Sequence, residues 1–285
     1  MKKCALLTCD DLTGYVSDED PLAEAIESQL GFICQWIPWS QSINWSEFDY
    51  AIIRTTWDYT LKRDLYLQTL KKIVQSGVEL FNPFSIVEWN SHKSYLLDLL
   101  KKKLNVIESL DINKYSEQEL LERVSNWSQK QIIAKPFVGA TSQGLKIFNK
   151  DLQGINQLFH YIKNPQNWFL QPFYEEIFEG EMSLIYFNNK FSHGLKKIPK
   201  NGDFRSQEEF GSEIKAYEPS KLEIDFGLKI LSTVTEPLLY ARVDYVLVNQ
   251  HPLLMELELI EPALYFRTHP QALNNFVLAI KKQFC

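Results

Sequence analysis

An apolar run, KCALLTC at residues 3–9, opens the chain and reads as a buried strand; FICQWI (32–37) and YAIIRT (50–55) repeat the pattern. Positions 21–30 between the first two carry helical periodicity, with Pro21 in the first turn, where its missing N–H costs nothing. Positions 61–76 space their apolar residues for a second helix that stops at Gly77, a residue suited to a left-handed C-terminal cap. VELFN (78–82) adds a fourth strand. This β-α-β alternation over residues 1–88 predicts a small domain built on a mostly parallel sheet.

Beyond residue 90 the pattern changes. Helical spacing over 93–103 and 117–127 gives way to QIIAKP (131–136) and GLKIF (144–148), then to a helix at 151–162 and the strand WFLQPF (168–173). Short strands this close together predict an antiparallel sheet with helices on one face. From residue 181 onward SLIYF, KFSHGL, ARVDYVLV and PLLMELELI form a second strand-rich region, with one helix at 221–233. The chain therefore divides at residues 1–88, 89–175 and 176–285. It has no internal repeat and no low-complexity segment.

Composition narrows the function classes. The 285 residues are 45% hydrophobic and 23% charged, with a formal charge of -6, which argues against a nucleic-acid binder and its basic surface. No apolar stretch approaches the roughly 18 residues of a membrane span, and Asp10-Asp11 cuts the first apolar run too early for a signal peptide. Cys4, Cys9, Cys34 and Cys285 match neither a zinc site nor a compact disulfide framework, so they read as thiols of a reducing cytoplasm. The five histidines show no ligand spacing.

The candidate chemistry sits on strands. In ARVDYVL and LLMELEL, alternation puts Glu256 and Glu258 on one face and sends Met255, Leu257 and Leu259 to the other. If Asp244 on the neighbouring strand joins that face, three carboxylates repel one another unless a cation such as Mg²⁺ neutralises them; the competing reading is a solvated strand face. Lys135 precedes a loop holding Gly139, Ala140, Thr141, Ser142 and Gly144, which can bring N–H and hydroxyl groups to phosphate oxygens without being a Walker loop; the competing reading is a plain hairpin turn. Arg242 shares a strand face with Asp244, either to stabilise phosphoryl charge or as a structural ion pair. Arg54 and Asp58, at and just after the C-terminal end of a parallel strand, are placed to bind a substrate, Arg54 through its carboxylate, with a structural Arg54–Asp58 pair as the alternative.

In order along the chain stand Lys93, the Lys135 loop, the hinge LQPFYEE, the acid Glu181, KKIPKNGDFRSQEEFGS, RVD and MELELIEP. Over residues 90–262 this order resembles the ATP-grasp superfamily, in the branch of glutathione synthetase and the ribosomal-protein glutamate ligase that includes D-cycloserine synthetase. RTTWDY (54–59), FNP (81–83), WNSHKSYL (89–96), GDFR (202–205) and ELELIEP (256–262) carry the likeness. The resemblance implies an α/β chain with α+β lobes: an ATP-grasp fold behind an N-terminal pre-ATP-grasp domain, with lid and large subdomains. It implies an ADP-forming ligase that joins a small-molecule carboxylate to an amine through an acyl phosphate; the alternatives are an ATP-grasp phosphotransferase and a non-catalytic nucleotide-binding module. By the same resemblance Lys93 and Lys135, with the loop of Gly139, Thr141 and Ser142, hold the phosphates of ATP. Gln171 and Phe173 meet adenine and Glu181 the ribose. Asp244, Glu256 and Glu258 hold Mg²⁺, with Mn²⁺ as its alternative, and Arg205 and Arg242 are catalytic. Family analogy adds a homodimer. The chain departs from the family pattern in having Glu-x-Glu for Glu-x-Asn, Gln207 for an Asn, and Gly211-Ser212 for Gly-Gly.

Overall fold

The computed structural model describes all residues except Thr141, Gln143, Lys163, Phe284 and Cys285. The expected phosphate contact of Thr141 and the thiol of Cys285 thus lie outside the described residues. β1 (Lys3–Thr8), β2 (Ile33–Pro38), β3 (Tyr50–Thr55) and β4 (Glu79–Phe81) form a parallel sheet in the order β2-β1-β3-β4. The helices between them are α1 (Leu22–Leu30) and α2 (Arg63–Gln75). The parallel arrangement read from the alternation is present, because the central strands β1 and β3 are apolar on both faces and need cover on both. One face packs Leu6, Ile26 and Ile52 against the C-terminal half of the chain, and the other buries Leu7, Ile53, Tyr66 and Leu70 under α2.

Two helices follow, α3 (Phe84–Asn90), behind Pro83, and α4 (Tyr95–Lys101). Buried Tyr95, Leu96 and Leu99 join the core of the five-stranded sheet described below. β5 (Leu110–Asp111), β6 (Gln131–Pro136), β7 (Lys146–Asn149) and β8 (Trp168–Pro172) pair antiparallel in the order β5-β8-β6-β7. On one face of this sheet α5 (Glu117–Ser125) and α6 (Leu152–Tyr161) bury Leu120, Val124, Ile155 and Leu158 against Ile132, Ala134 and Leu170. Ser116 and Glu119 close α5 with a reciprocal capping box, worth about 1 kcal/mol for the serine.

β9 (Glu181–Phe187), β10 (Lys190–Ile198), β11 (Glu213–Tyr217), β12 (Tyr240–Val248) and β13 (His251–Glu258) form the antiparallel sheet β11-β10-β9-β12-β13. α7 (Lys221–Leu231) covers one face, and its Gly227 lies so close to Tyr186 that an added Cβ would sit 2.1 Å from the phenol oxygen. α8 (Ala272–Lys282) buries Phe276, Val277 and Ile280 between this sheet and α1. No described helix is long and apolar enough to cross a membrane.

The alternation expected for β13 breaks at one point. Asp244 pairs with Glu256 but Tyr245 pairs with Leu254, so Met255 is an extra residue in β13, a bulge. Met255 therefore lies with Ile107, Ile133, Phe173 and Val246 on the side of Glu256, and not behind the sheet with Leu257 and Leu259.

Candidate active site

A cleft opens between the four-stranded antiparallel sheet and the five-stranded one, enclosing about 1730 Å³ with its open mouth included. The strand registers build its floor. Lys197 on β10 faces Glu181 on β9; Ser183 on β9 faces Asp244 on β12; Asp244 faces Glu256, and Arg242 faces Glu258, on β13. Alternation along each strand puts all seven on one sheet face.

Asp244 is the hub of this floor. Arg242 Nε donates to both carboxylate oxygens at 3.0 and 3.1 Å, Lys197 Nζ donates to Oδ2 at 3.2 Å and Ser183 Oγ to Oδ1 at 2.6 Å. Burial alone would push this carboxyl up, but the guanidinium and the ammonium hold it at about 2. Asp244, expected to ligate a metal, is 2% exposed with both its oxygens engaged by protein donors, so a metal ion would have to replace one of those donors. Arg242 also reaches Glu258 and Ala263 O, Lys197 pairs with Glu181, and Lys93 pairs with Glu256. Among the described residues no group of three or more His, Cys, Asp or Glu is arranged to hold a metal ion. Glu256 and Glu258 remain as hard oxygen donors on one face, which suits Mg²⁺, an ion bound through one or two carboxylates plus phosphates and water.

The opposite wall is apolar with few polar groups. Ile107, Ile133, Phe173 and Ile177 pack with Leu145, Phe204 and Met255 into a slot. Gln171, opposite Ile133 on β8, donates to Ser109 Oγ at 3.0 Å, while its buried Oε1 has no hydrogen-bond partner. Lys135 faces Phe169 across the β6–β8 pair. Burial, and then the charge of Lys93, push its ammonium down to about 8. Glu181 accepts from Ser206 Oγ at 2.7 Å besides pairing with Lys197. At the mouth, Ser142 Oγ donates to Gln207 Oε1 at 2.7 Å, tying the loop after β6 to the segment that carries Arg205. Gly139 lines the same rim. Arg205 lies bidentate on Asp203 and over the ring of Phe210 at 3.6 Å.

Arg54 and Asp58 are not in this cleft, against the expectation that they bind a substrate. Arg54 is fully buried, donates to Glu19 and to Pro262 O, and lies over the rings of Tyr240 and Phe276. Neither is there an Arg54–Asp58 pair: Asp58 accepts from Trp39 Nε1 at 2.6 Å. The N-terminal region instead supplies Tyr15, Val16, Trp57 and Tyr59 to the cleft.

Behind the acids, the chain from 257 to 264 is held by its carbonyls. Asn90 donates to Leu257 O, Asn82 to Leu259 O, Tyr240 to Ile260 O, Trp57 to Glu261 O, Arg54 to Pro262 O, Arg242 to Ala263 O, and His193 Nε2 lies 2.9 Å from Leu264 O. Sequence reasoning missed Lys197, Ser183, Ser206 and Glu261. Lys197 was in reach, since continuing the β10 alternation past residue 195 puts it opposite Glu181.

Comparisons with known proteins agree with this architecture. Residues 4–82 match the family described as D-cycloserine synthetase DcsG, N-terminal domain, and residues 112–262 match prokaryotic glutathione synthetase, ATP-grasp domain. The glutathione synthetase of Prochlorococcus marinus subsp. pastoris is 24% identical over 188 residues, which span 64% of this chain and 58% of that protein. The crystal structure of D-cycloserine synthetase DcsG superposes with a TM-score of 0.85 at 21% identity, covering 99% of this chain and 100% of that one. D-alanine–D-alanine ligase from Bacillus anthracis superposes with a TM-score of 0.62 at 13% identity, each chain covered in full. With its ATP-grasp match extending over more than half of its length, the chain belongs to the ATP-grasp family of the prokaryotic glutathione synthetase type.

Proposed function

We propose that the protein is an ADP-forming ligase that activates a carboxylate as an acyl phosphate and passes the acyl group to an amine. The observation that carries this reading is the pairing of opposites across one cleft: Lys93 and Lys135 toward the lid, Glu256 and Glu258 on the floor, and an apolar slot beside them. ATP supplies the phosphoryl group that makes the carboxylate a good acyl donor, with Mg²⁺ offsetting charge between its phosphates. Lys135 and Lys93 hold the phosphates, the second by giving up Glu256 as its partner. Glu256 and Glu258 hold the metal. Gln171, through its unpartnered Oε1, and Phe173 meet the adenine, and Glu181 the ribose. Gly139 and Ser142 close over the phosphates from the rim and keep water from the acyl phosphate. Arg205 and Arg242 stabilise charge on the reacting groups, Arg242 held in place by Asp244.

The relatives named above support this reading by what their names say they make. A screen of carboxylates and amines supplied in pairs, read by ADP and phosphate release, tests it. Release of AMP and pyrophosphate would refute the acyl-phosphate route, and a phosphorylated product without a new C–N bond would favour a phosphotransferase.

A further inference from the structure

Five basic and seven acidic side chains line the cleft. Ten of the twelve are answered by the protein itself: Lys93, Lys197, Arg205, Arg242, Glu181, Asp244, Glu256 and Glu258 by the ion pairs already given, Glu208 by Arg267, and Glu209 by the Val16 N–H. Among the described lining residues, two charged side chains have no hydrogen bond or ion pair to another residue: Lys135 and Glu261. One is a cation waiting for an anion, and the proposed ligase reading assigns it phosphate. The other is a carboxyl without a partner, which becomes an anion when a cation reaches it.

We propose that Glu261, with the ring pair Tyr15–Trp57, forms the pocket that receives the ammonium group of the amine substrate. This rests on the ligase reading and adds the class of nucleophile, a primary amine that arrives as ammonium and gives one proton to the Glu261 carboxylate before its lone pair attacks the acyl carbon. Trp57 Nε1 donates to Glu261 O at 2.9 Å, which fixes the indole against the main chain of the residue that carries the unpartnered carboxyl. Tyr15 packs on Trp57 with ring centroids 5.1 Å apart and planes tilted by 45°, and both rings line the cleft together with Glu261. A carboxylate backed by aromatic rings is the combination that binds an ammonium through charge-assisted hydrogen bonds and cation–π contact. The carbonyls on either side are also pinned, Ile260 O by Tyr240 and Pro262 O by Arg54, so the carboxylate is presented from a fixed backbone. Burial first and repulsion from Glu258 second raise its carboxyl to about 8, so in the free protein it is mostly protonated at neutral pH, and an arriving cation draws out the charged form.

The test is a ligand-observed NMR titration of n-butylammonium and n-butanol, as matched probes, onto the full chain with saturating Mg²⁺ and a non-hydrolysable ATP analogue. The ammonium should bind about ten- to a hundredfold more tightly than the alcohol, and Glu261→Gln should collapse the difference. Equal binding of the two probes, or a Gln variant that keeps the preference, overturns the proposal whatever the ligation screen shows. A screen that yields no ADP refutes the ligase reading, and the ammonium preference then stands or falls on the titration alone. For a carboxylate and amine found by the screen, Glu261→Gln should raise KM for the amine. It should leave unchanged the rate at which hydroxylamine, uncharged at neutral pH, traps the acyl phosphate as hydroxamate. Loss of hydroxamate in step with ligation would put Glu261 in the phosphoryl step and overturn the assignment.

Discussion

Nucleotide affinity should fall above about pH 8, because of Lys135. In the free protein, burial first and the neighbouring Lys93 second lower its ammonium from the ordinary lysine value of 10.5 to about 8. A triphosphate binds the charged form. Below pH 8 that form is already present and affinity is flat. Above it, each nucleotide must bring a proton with it, and Kd should rise about tenfold per pH unit, one proton per site. Folding stability moves the other way: between about 8 and 10.5 the unfolded chain binds the extra proton, so the free protein becomes more stable as pH rises. Calorimetric titration of ADP with Mg²⁺ from pH 6.5 to 10, repeated in buffers of different ionisation heat, reads both Kd and proton uptake. Lys135→Arg keeps its charge throughout and should flatten the profile. A wild-type Kd that stays level to pH 10 would refute the reasoning. So would a break that persists in the Arg variant, since it would then belong to Lys93, which is paired with Glu256.

Glu256→Gln should nearly abolish turnover, whereas Glu258→Asn, which restores the family pattern, should keep measurable activity at a higher Mg²⁺ requirement; turnover against Mg²⁺ concentration separates the two, and full activity of Glu256→Gln would remove these acids from the chemistry. Arg54→Met leaves Glu19 buried and unpaired and should cost about 3–5 kcal/mol in urea denaturation, while the double variant with Glu19→Met recovers most of it; a single variant with wild-type stability would contradict the buried pair. Tyr240→Phe removes a hydroxyl that lies within 3.2 Å of three carbonyls, those of Ile53, Phe81 and Ile260, and should lower stability by about 1–3 kcal/mol, measurable as a reduced melting temperature.

What could be read from the sequence was periodic, and what escaped it was not. The parallel sheet follows from apolar runs alternating with helical spacing, and the acidic face of β13 from period two. Met255 escaped because a bulge depends on how β12 and β13 pair, which no single strand specifies. Arg54 was misplaced for a similar reason. Its charge and position at a strand end suggest a substrate contact, but Glu19, 35 residues earlier in a loop, satisfies it inside the core. Asp244 was recognised as part of the site, but its links to Arg242, Lys197 and Ser183 were out of reach, since they need three strands to be in register. Helices α3 and α8 went unread; α8 takes its place by packing Phe276 and Ile280 on distant residues.

The carbonyl-by-carbonyl grip on residues 257–264 makes the acidic motif non-portable. ELELIEP moved into another scaffold would keep its side chains and lose the five donors to its carbonyls, contributed by Trp57, Asn82, Asn90 and others, that give its backbone a shape. Conversely, a substitution at any of those donors is a way to retune the geometry of the acids without touching one of them. Comparison of homologues by the motif alone would see no change, and differences in specificity would have to be sought in the anchors.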